Sequence, residues 1–169
     1  MRKWITGILS VLLMFLIQTS VFRFLPLGVT VPNFLLLLCC IYGLFRGEID
    51  GLITGFFCGL LLDVFYLRGL GFYALIYGLI GYLNGLANPY FNPRERKLPL
   101  ILIPFSDLAY LLLMYLLFYV LNGRFDFMFY LTDVLLPELL MTFGGSILIY
   151  PLFLLIENRF VQRGNEDAG

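Results

Sequence analysis

The chain has 169 residues, of which 61% are hydrophobic and only 13% are charged, and its mean hydropathy is +0.94. A soluble domain is about half apolar and about a quarter charged, so this composition predicts an all-α polytopic membrane protein. The net charge of zero gives no field that would attract nucleic acid, and the absence of histidine excludes histidine metal ligands and histidine general bases.

Six apolar segments are each about 17 residues long or longer, which is the minimum for a transmembrane helix. We expect them at residues 4–22, 28–45, 51–67, 70–87, 98–121 and 130–156. The sixth contains Pro137 and Pro151, which we expect to interrupt its helix. The six segments predict one transmembrane domain over residues 1–156, followed by a short polar cytoplasmic tail over residues 157–169.

The short loops between these segments place most basic residues on one side of the membrane. If the N-terminus is cytoplasmic, eight of the eleven lysine and arginine residues lie inside. These eight are Arg2, Lys3, Arg46, Arg94, Arg96, Lys97, Arg159 and Arg163, and the three outside are Arg23, Arg68 and Arg124. The excess of positive charge inside predicts that both termini are cytoplasmic.

The stretch "GLITGFFCGLLLDVF", residues 51–65, has glycine at every fourth position. Gly51, Gly55 and Gly59 fall on one stripe of a helix, and Asp63 continues that stripe. The fourth segment has a second set of glycines at Gly78, Gly81 and Gly85. Helices in lipid associate through close backbone contact, so this pattern predicts that the third and fourth segments form an antiparallel hairpin. One stripe could instead receive a helix from another protein, and the spacing does not separate these two interpretations.

Ionisable and amide side chains inside the spans are costly in lipid, which makes each of them a functional candidate. The topology places four of them in the outer half of the membrane: Gln18, Asn33, Asp63 and Glu138. Arg68 lies in an adjoining outer loop, and Asp107 lies nearer the middle of the bilayer. This placement predicts an outward-facing polar pocket or a partner-docking surface. Alternatively, each acid is satisfied locally by a neighbouring arginine, by water or by protonation.

The same residues do not favour catalysis. Asp63 and Asp107 could suggest an intramembrane aspartyl protease, in which two acids share one proton. However, neither aspartate lies in a Gly-x-Gly-Asp context, and their predicted depths differ. The three cysteines, Cys39, Cys40 and Cys58, lie within apolar runs and lack zinc-binding spacing. We therefore predict a protein that is not an enzyme and has no cofactor or metal site.

Several of these residues together resemble the MreD family of bacterial rod shape-determining membrane proteins. The resemblance covers nearly the whole chain, and its most specific part is "GxxxGFxxGLLLD" from Gly51 to Asp63. The other matching features are Gln18, the pair Pro32-Asn33, the turn glycines Gly69 and Gly71, Asp107, and the pair Tyr150-Pro151. The chain departs from the family where we would expect an asparagine about two turns before that last proline, because only Thr142 and Ser146 occur there.

The resemblance implies a non-enzymatic scaffold of the cell-elongation machinery, located in the cytoplasmic membrane. Its implied partner is an MreC-like single-pass protein. The implied complex also contains RodA together with a separate penicillin-binding transpeptidase and, indirectly, the cytoskeletal protein MreB. The family is also similar to the six-helix S-components of vitamin transporters. The alternative function is therefore an S-component-like subunit that binds a small molecule from outside, with the outer polar residues as ligand contacts.

Overall fold

The computed structural model describes residues 2–20, 32–66, 71–92, 97–120, 123 and 126–166, and these residues contain helices and no strands. The helices are α1 (Arg2–Ser20), α2 (Phe34–Arg46), α3 (Glu48–Tyr66), α4 (Phe72–Leu86), α5 (Lys97–Met114), α6 (Phe127–Tyr130) and α7 (Leu136–Glu166). A 3₁₀ turn, Asn88–Tyr90, follows α4, and π-helical turns at Tyr115–Val120 and Leu131–Leu135 follow α5 and α6. The all-helical fold class predicted from composition is confirmed.

The C-terminal part of the described chain is helical without a break from Phe127 to Glu166. The predicted interruption at Pro151 is wrong, because this proline lies inside α7. Pro137 is the second residue of α7, where the chain passes from the π-helical turn Leu131–Leu135 into α-helix. A proline at the second residue of an α-helix is tolerated, because the first amides of a helix have no partner within it. Helix α7 also continues through residues 157–166, which belong to the predicted polar tail.

Helix α2 lies at the centre of the bundle. Its residues 35–44 are all buried, and it contacts α1, α3, α4, α5 and α7. It ends at Gly47, whose φ of +100° favours glycine and lets the chain enter α3 after a single residue. A helix buried on every side is uniformly apolar, which is why its sequence shows no polar face.

The outer surface of the described bundle is apolar. Leu75 is 68% exposed, Ile101 is 69% exposed and Leu148 is 75% exposed, so large aliphatic side chains face outward from α4, α5 and α7. Two described helical stretches, Leu98–Leu117 and Phe127–Pro151, are long and apolar enough to cross a membrane. Gly7–Ser20 and Phe34–Arg46 are shorter apolar stretches. Outward-facing apolar side chains on long apolar helices are typical of a protein whose solvent is lipid.

Candidate functional site

The first feature of interest is the contact between α3 and α4, which pack against each other more extensively than any other two described helices. Gly51 lies on the backbone of Gly81, Gly55 on Tyr77, and Gly59 on Tyr73. The partner numbers fall as the α3 numbers rise, so the two helices are antiparallel. A Cβ atom added to any of these three glycines would lie within 3.0 Å of backbone atoms of α4, so the two backbones touch with no side chain between them.

Helix α2 joins the same contact through a glycine that the sequence analysis did not single out. A Cβ on Gly43 would lie 2.5 Å from the carbonyl oxygen of Gly81 and 2.9 Å from the amide nitrogen of Gly85. Gly85 in turn lies against the backbone of Glu48 at the start of α3. Gly43 precedes Gly51 by two four-residue steps, with Gly47 between them, and that spacing was the signal that could have identified it.

Gly78 differs from the other five glycines of the predicted packing set. A Cβ added there would lie 3.6 Å from the carbonyl oxygen of Leu52, which is an ordinary van der Waals distance. Five glycines of the predicted set therefore lie where backbone meets backbone, and at the sixth, Gly78, a methyl group fits.

Asp63 is 2% exposed, and its carboxylate accepts hydrogen bonds from three backbone amides at the start of α4. Gly71 and Ala74 donate to Oδ2 and Tyr73 donates to Oδ1, each at 3.0 Å. The first amides of a helix have no partner within the helix, and its N-terminus carries partial positive charge. Asp63 therefore caps α4 from the end of α3, and Gly71, with φ of +108°, makes the turn that brings α4 back to it.

Asn33 and Gln18 serve the start of α2 in the same way. The side-chain oxygen of Asn33 accepts hydrogen bonds from the Leu36 amide at 3.2 Å and from the Tyr77 hydroxyl at 2.6 Å. Gln18 accepts from the Leu35 amide at 3.2 Å, and the Asn33 amide donates to the Thr142 hydroxyl at 3.2 Å. These contacts tie α1, α4 and α7 to the beginning of the central helix.

Asp107 and Glu138 lie in the interior between α5 and α7. Asp107 is completely buried, and neither of its carboxylate oxygens has a hydrogen-bond partner among the described residues. Thr142 lies beside Asp107 but outside hydrogen-bonding geometry, and Glu138, 9% exposed, is within electrostatic reach of it. Uncharged carboxylic acids are the forms that such an apolar interior tolerates.

Three residues of the predicted polar cluster accept hydrogen bonds from amides at the starts of helices. Asp63 bonds to α4, whereas Asn33 and Gln18 bond to α2. Arg68 lies outside the described residues. Within the described ranges, no group of three or more acids and cysteines could hold a metal ion.

Sequence reasoning missed one further polar pair. The Asn84 side-chain amide donates to the Ser106 hydroxyl at 2.8 Å and to the Ile80 carbonyl at 2.9 Å, joining α4 to α5. Asn84 lies between Gly81 and Gly85 in the sequence, so its position on the glycine-rich face was the available signal.

Comparison with known proteins gives one match. A family model described as rod shape-determining protein MreD matches residues 1–160 of this 169-residue chain. No curated protein and no solved structure matches the chain.

Proposed function

Since the chain belongs to the MreD family of rod shape-determining membrane proteins, we propose that it acts as a non-enzymatic scaffold of the bacterial cell-elongation complex. In this proposal the six predicted segments cross the cytoplasmic membrane, with both termini in the cytoplasm. The partner is an MreC-like single-pass membrane protein. The same assembly contains RodA together with a separate penicillin-binding transpeptidase and an MreB-like cytoskeleton.

The observation that carries the scaffold proposal is how the interior uses its polar groups. A ligand-binding subunit needs polar side chains that converge on a cavity and whose hydrogen-bonding atoms are not already used within the protein. Here both carboxylate oxygens of Asp63 and the side-chain oxygens of Asn33 and Gln18 accept bonds from helix amides. Those residues fix the relative positions of helices, which is what a scaffold requires of its interior.

The backbone contacts among α2, α3 and α4 support the same proposal. Backbones that touch through glycine cannot slide without collision, so this part of the bundle presents its outer faces in a fixed arrangement. Fixed apolar faces on a membrane protein are suitable surfaces for the transmembrane helices of partners.

One observation favours the alternative, an S-component-like subunit that binds a small molecule. Asp107 is buried without a hydrogen-bond partner among the described residues, and a bound ligand could supply one. The two functions therefore differ in whether Asp107 contacts a bound small molecule.

The test is affinity purification of the tagged chain from its native membranes in mild detergent, with mass spectrometry of both proteins and small molecules. Asp107→Asn is compared with Asp133→Asn, which removes a carboxylate from an exposed position. The scaffold proposal expects a single-pass protein and cell-wall synthases with the parent chain and with both variants. A small molecule recovered at one per chain, and lost only in Asp107→Asn, would establish the alternative.

A further inference from the structure

A groove of about 620 Å³ opens between α1 and α3, beside the central helix α2. These two outer helices barely touch each other, although both pack on α2. The groove is lined by apolar side chains along most of its length, among them Val11, Phe57 and Leu61. Its volume lies within the range of about 300–1,000 Å³ that is typical of pockets for small organic molecules.

One end of the groove is charged, at the turn between α2 and α3. Arg46 and Asp50 both line this end, on either side of Gly47. The Arg46 guanidinium carbon lies 4.6 Å from the centre of the Tyr42 ring, and the Tyr42 hydroxyl is 2.8 Å from the Ser10 hydroxyl of α1. A chain of contacts from α1 through Tyr42 thus holds the cation at the mouth of an apolar groove.

We propose that this groove binds one phospholipid whose headgroup carries both a phosphate and an ammonium group, as in phosphatidylethanolamine. The phosphate lies beside Arg46, the ammonium group lies beside Asp50, and an acyl chain follows the apolar lining. An arginine recognises phosphate through charge-assisted hydrogen bonds, and a carboxylate recognises an alkylammonium group in the same way. A headgroup with a phosphate and an ammonium group therefore complements the arginine and the aspartate at the charged end of the groove.

The length of the groove agrees with a lipid and not with a partner helix. From Asp50 to Leu61 helix α3 rises about 16 Å, which is close to half of the roughly 30 Å hydrocarbon core. The lining therefore covers the depth of one leaflet. A transmembrane helix is about 10 Å wide and would need a groove that continues through both leaflets.

This inference rests on the membrane placement of the proposed function, but its test needs no partner protein. The full-length chain is purified in detergent, and native mass spectrometry measures adducts with added dioleoyl phosphatidylethanolamine or dioleoyl phosphatidylglycerol. We expect one tightly held phosphatidylethanolamine, preferred over phosphatidylglycerol by about tenfold, because only the former has an ammonium group for Asp50. Loss of the partner complex in cells would leave this result unchanged.

Two glycines provide matched variants for the groove itself. A Cβ atom added to Gly7 or to Gly144 meets no atom within 4 Å, so a side chain can leave the backbone at both positions without collision. Of these two glycines, Gly7 lines the groove and Gly144 does not. Gly7→Leu is expected to lower phosphatidylethanolamine binding at least about tenfold, and Gly144→Leu is expected to leave it unchanged. Equal binding by the two variants would overturn the proposal.

Two charge variants test the headgroup assignment. Asp50→Asn is expected to abolish the preference for phosphatidylethanolamine while both lipids still bind, and Arg46→Gln is expected to weaken both lipids. A parent chain that binds the two lipids equally, or that prefers phosphatidylglycerol, would show that Asp50 does not recognise the headgroup.

Discussion

The two halves of the described bundle are held together differently. In α2, α3 and α4, backbone lies on backbone through glycine. Asp63 accepts bonds from amides of α4, and Tyr77 of α4 donates to the side chain of Asn33 at the start of α2. In the other half, π-helical turns follow α5 and α6, and α5 contains Pro104. Asp107 is buried there without a hydrogen-bond partner in the described chain. Gly144 of α7 faces open space, unlike the glycines of α3.

This difference indicates which half can adjust. Contacts between backbones have no rotamers with which to absorb a change, whereas side-chain contacts and π-helical turns can shift by small steps. We infer that the α2–α4 half provides the fixed frame and that the α5–α7 half is the part of the bundle that can adjust. Substitutions in the two halves should therefore differ in their effect on stability, with the largest loss expected at the glycine contacts of α3.

Gly55→Ala and Gly78→Ala make the sharpest test of the fixed half. A methyl group on Gly55 would collide with the Tyr77 backbone, while one on Gly78 would sit 3.6 Å from the nearest atom. We expect Gly55→Ala to destabilise the bundle by about 3 kcal/mol or more, and Gly55→Leu to abolish assembly, because α3 and α4 must separate. Gly78→Ala should be close to neutral.

The measurement is the fraction of monodisperse protein recovered in mild detergent, together with its thermal unfolding followed by circular dichroism. If Gly55→Ala and Gly78→Ala unfolded at the same temperature, the two backbones would not be in the contact described. Gly144→Leu, in the α5–α7 half, serves as a control for placing leucine at a helical glycine.

Asp63 offers the next largest effect. Asp63→Leu leaves three helix amides without their acceptor in an apolar setting, and we expect a loss of about 3 kcal/mol or more, since each unsatisfied buried donor costs about 1–3 kcal/mol. Asp63→Asn keeps one acceptor oxygen and should cost less, about 1–2 kcal/mol. Denaturing-detergent titrations of the two variants give these free energies. Equal and severe losses would mean that the negative charge at the helix terminus matters more than the hydrogen bonds.

The sequence predicted the helices more completely than the site, for a physical reason. Apolar run length and four-residue glycine spacing are local properties, so the segments, the α3–α4 hairpin and the special status of Asp63, Asn33 and Gln18 could be identified in advance. The acceptor partners could not, because the Asp63 bonds to Gly71 and Ala74 depend on the antiparallel register of two helices. Burial of Asp107 depends likewise on how α5 packs on α7, which no local pattern specifies.

Asp107→Leu should have the opposite sign to Asp63→Leu, although both aspartates are buried. The Asp107 carboxylate accepts no hydrogen bond from the described residues, so leucine removes a buried polar group without leaving a donor unsatisfied. We expect stability to be unchanged or raised by about 1–3 kcal/mol. Thermal unfolding measures this, and rod shape in cells that depend on the variant reports function separately. Destabilisation comparable to that of Asp63→Leu would show that Asp107 has a structural partner after all.

The smallest expected effect comes from the hydroxyl of Tyr77, which links α4 to the start of α2. Tyr77 donates to the Asn33 side-chain oxygen at 2.6 Å, but that oxygen also accepts from the Leu36 amide, so the cap of α2 survives in Tyr77→Phe. A single neutral hydrogen bond contributes about 1 kcal/mol, and we expect that loss in unfolding free energy. Tyr90→Phe, which removes a hydroxyl from a side chain that is 82% exposed, should have no effect. If Tyr77→Phe lowered the free energy of unfolding as much as Asp63→Leu, the cap of α2 would depend on the tyrosine as well as on Asn33. The α2–α4 half would then be a single hydrogen-bonded unit and not two capped helices joined by glycine contacts.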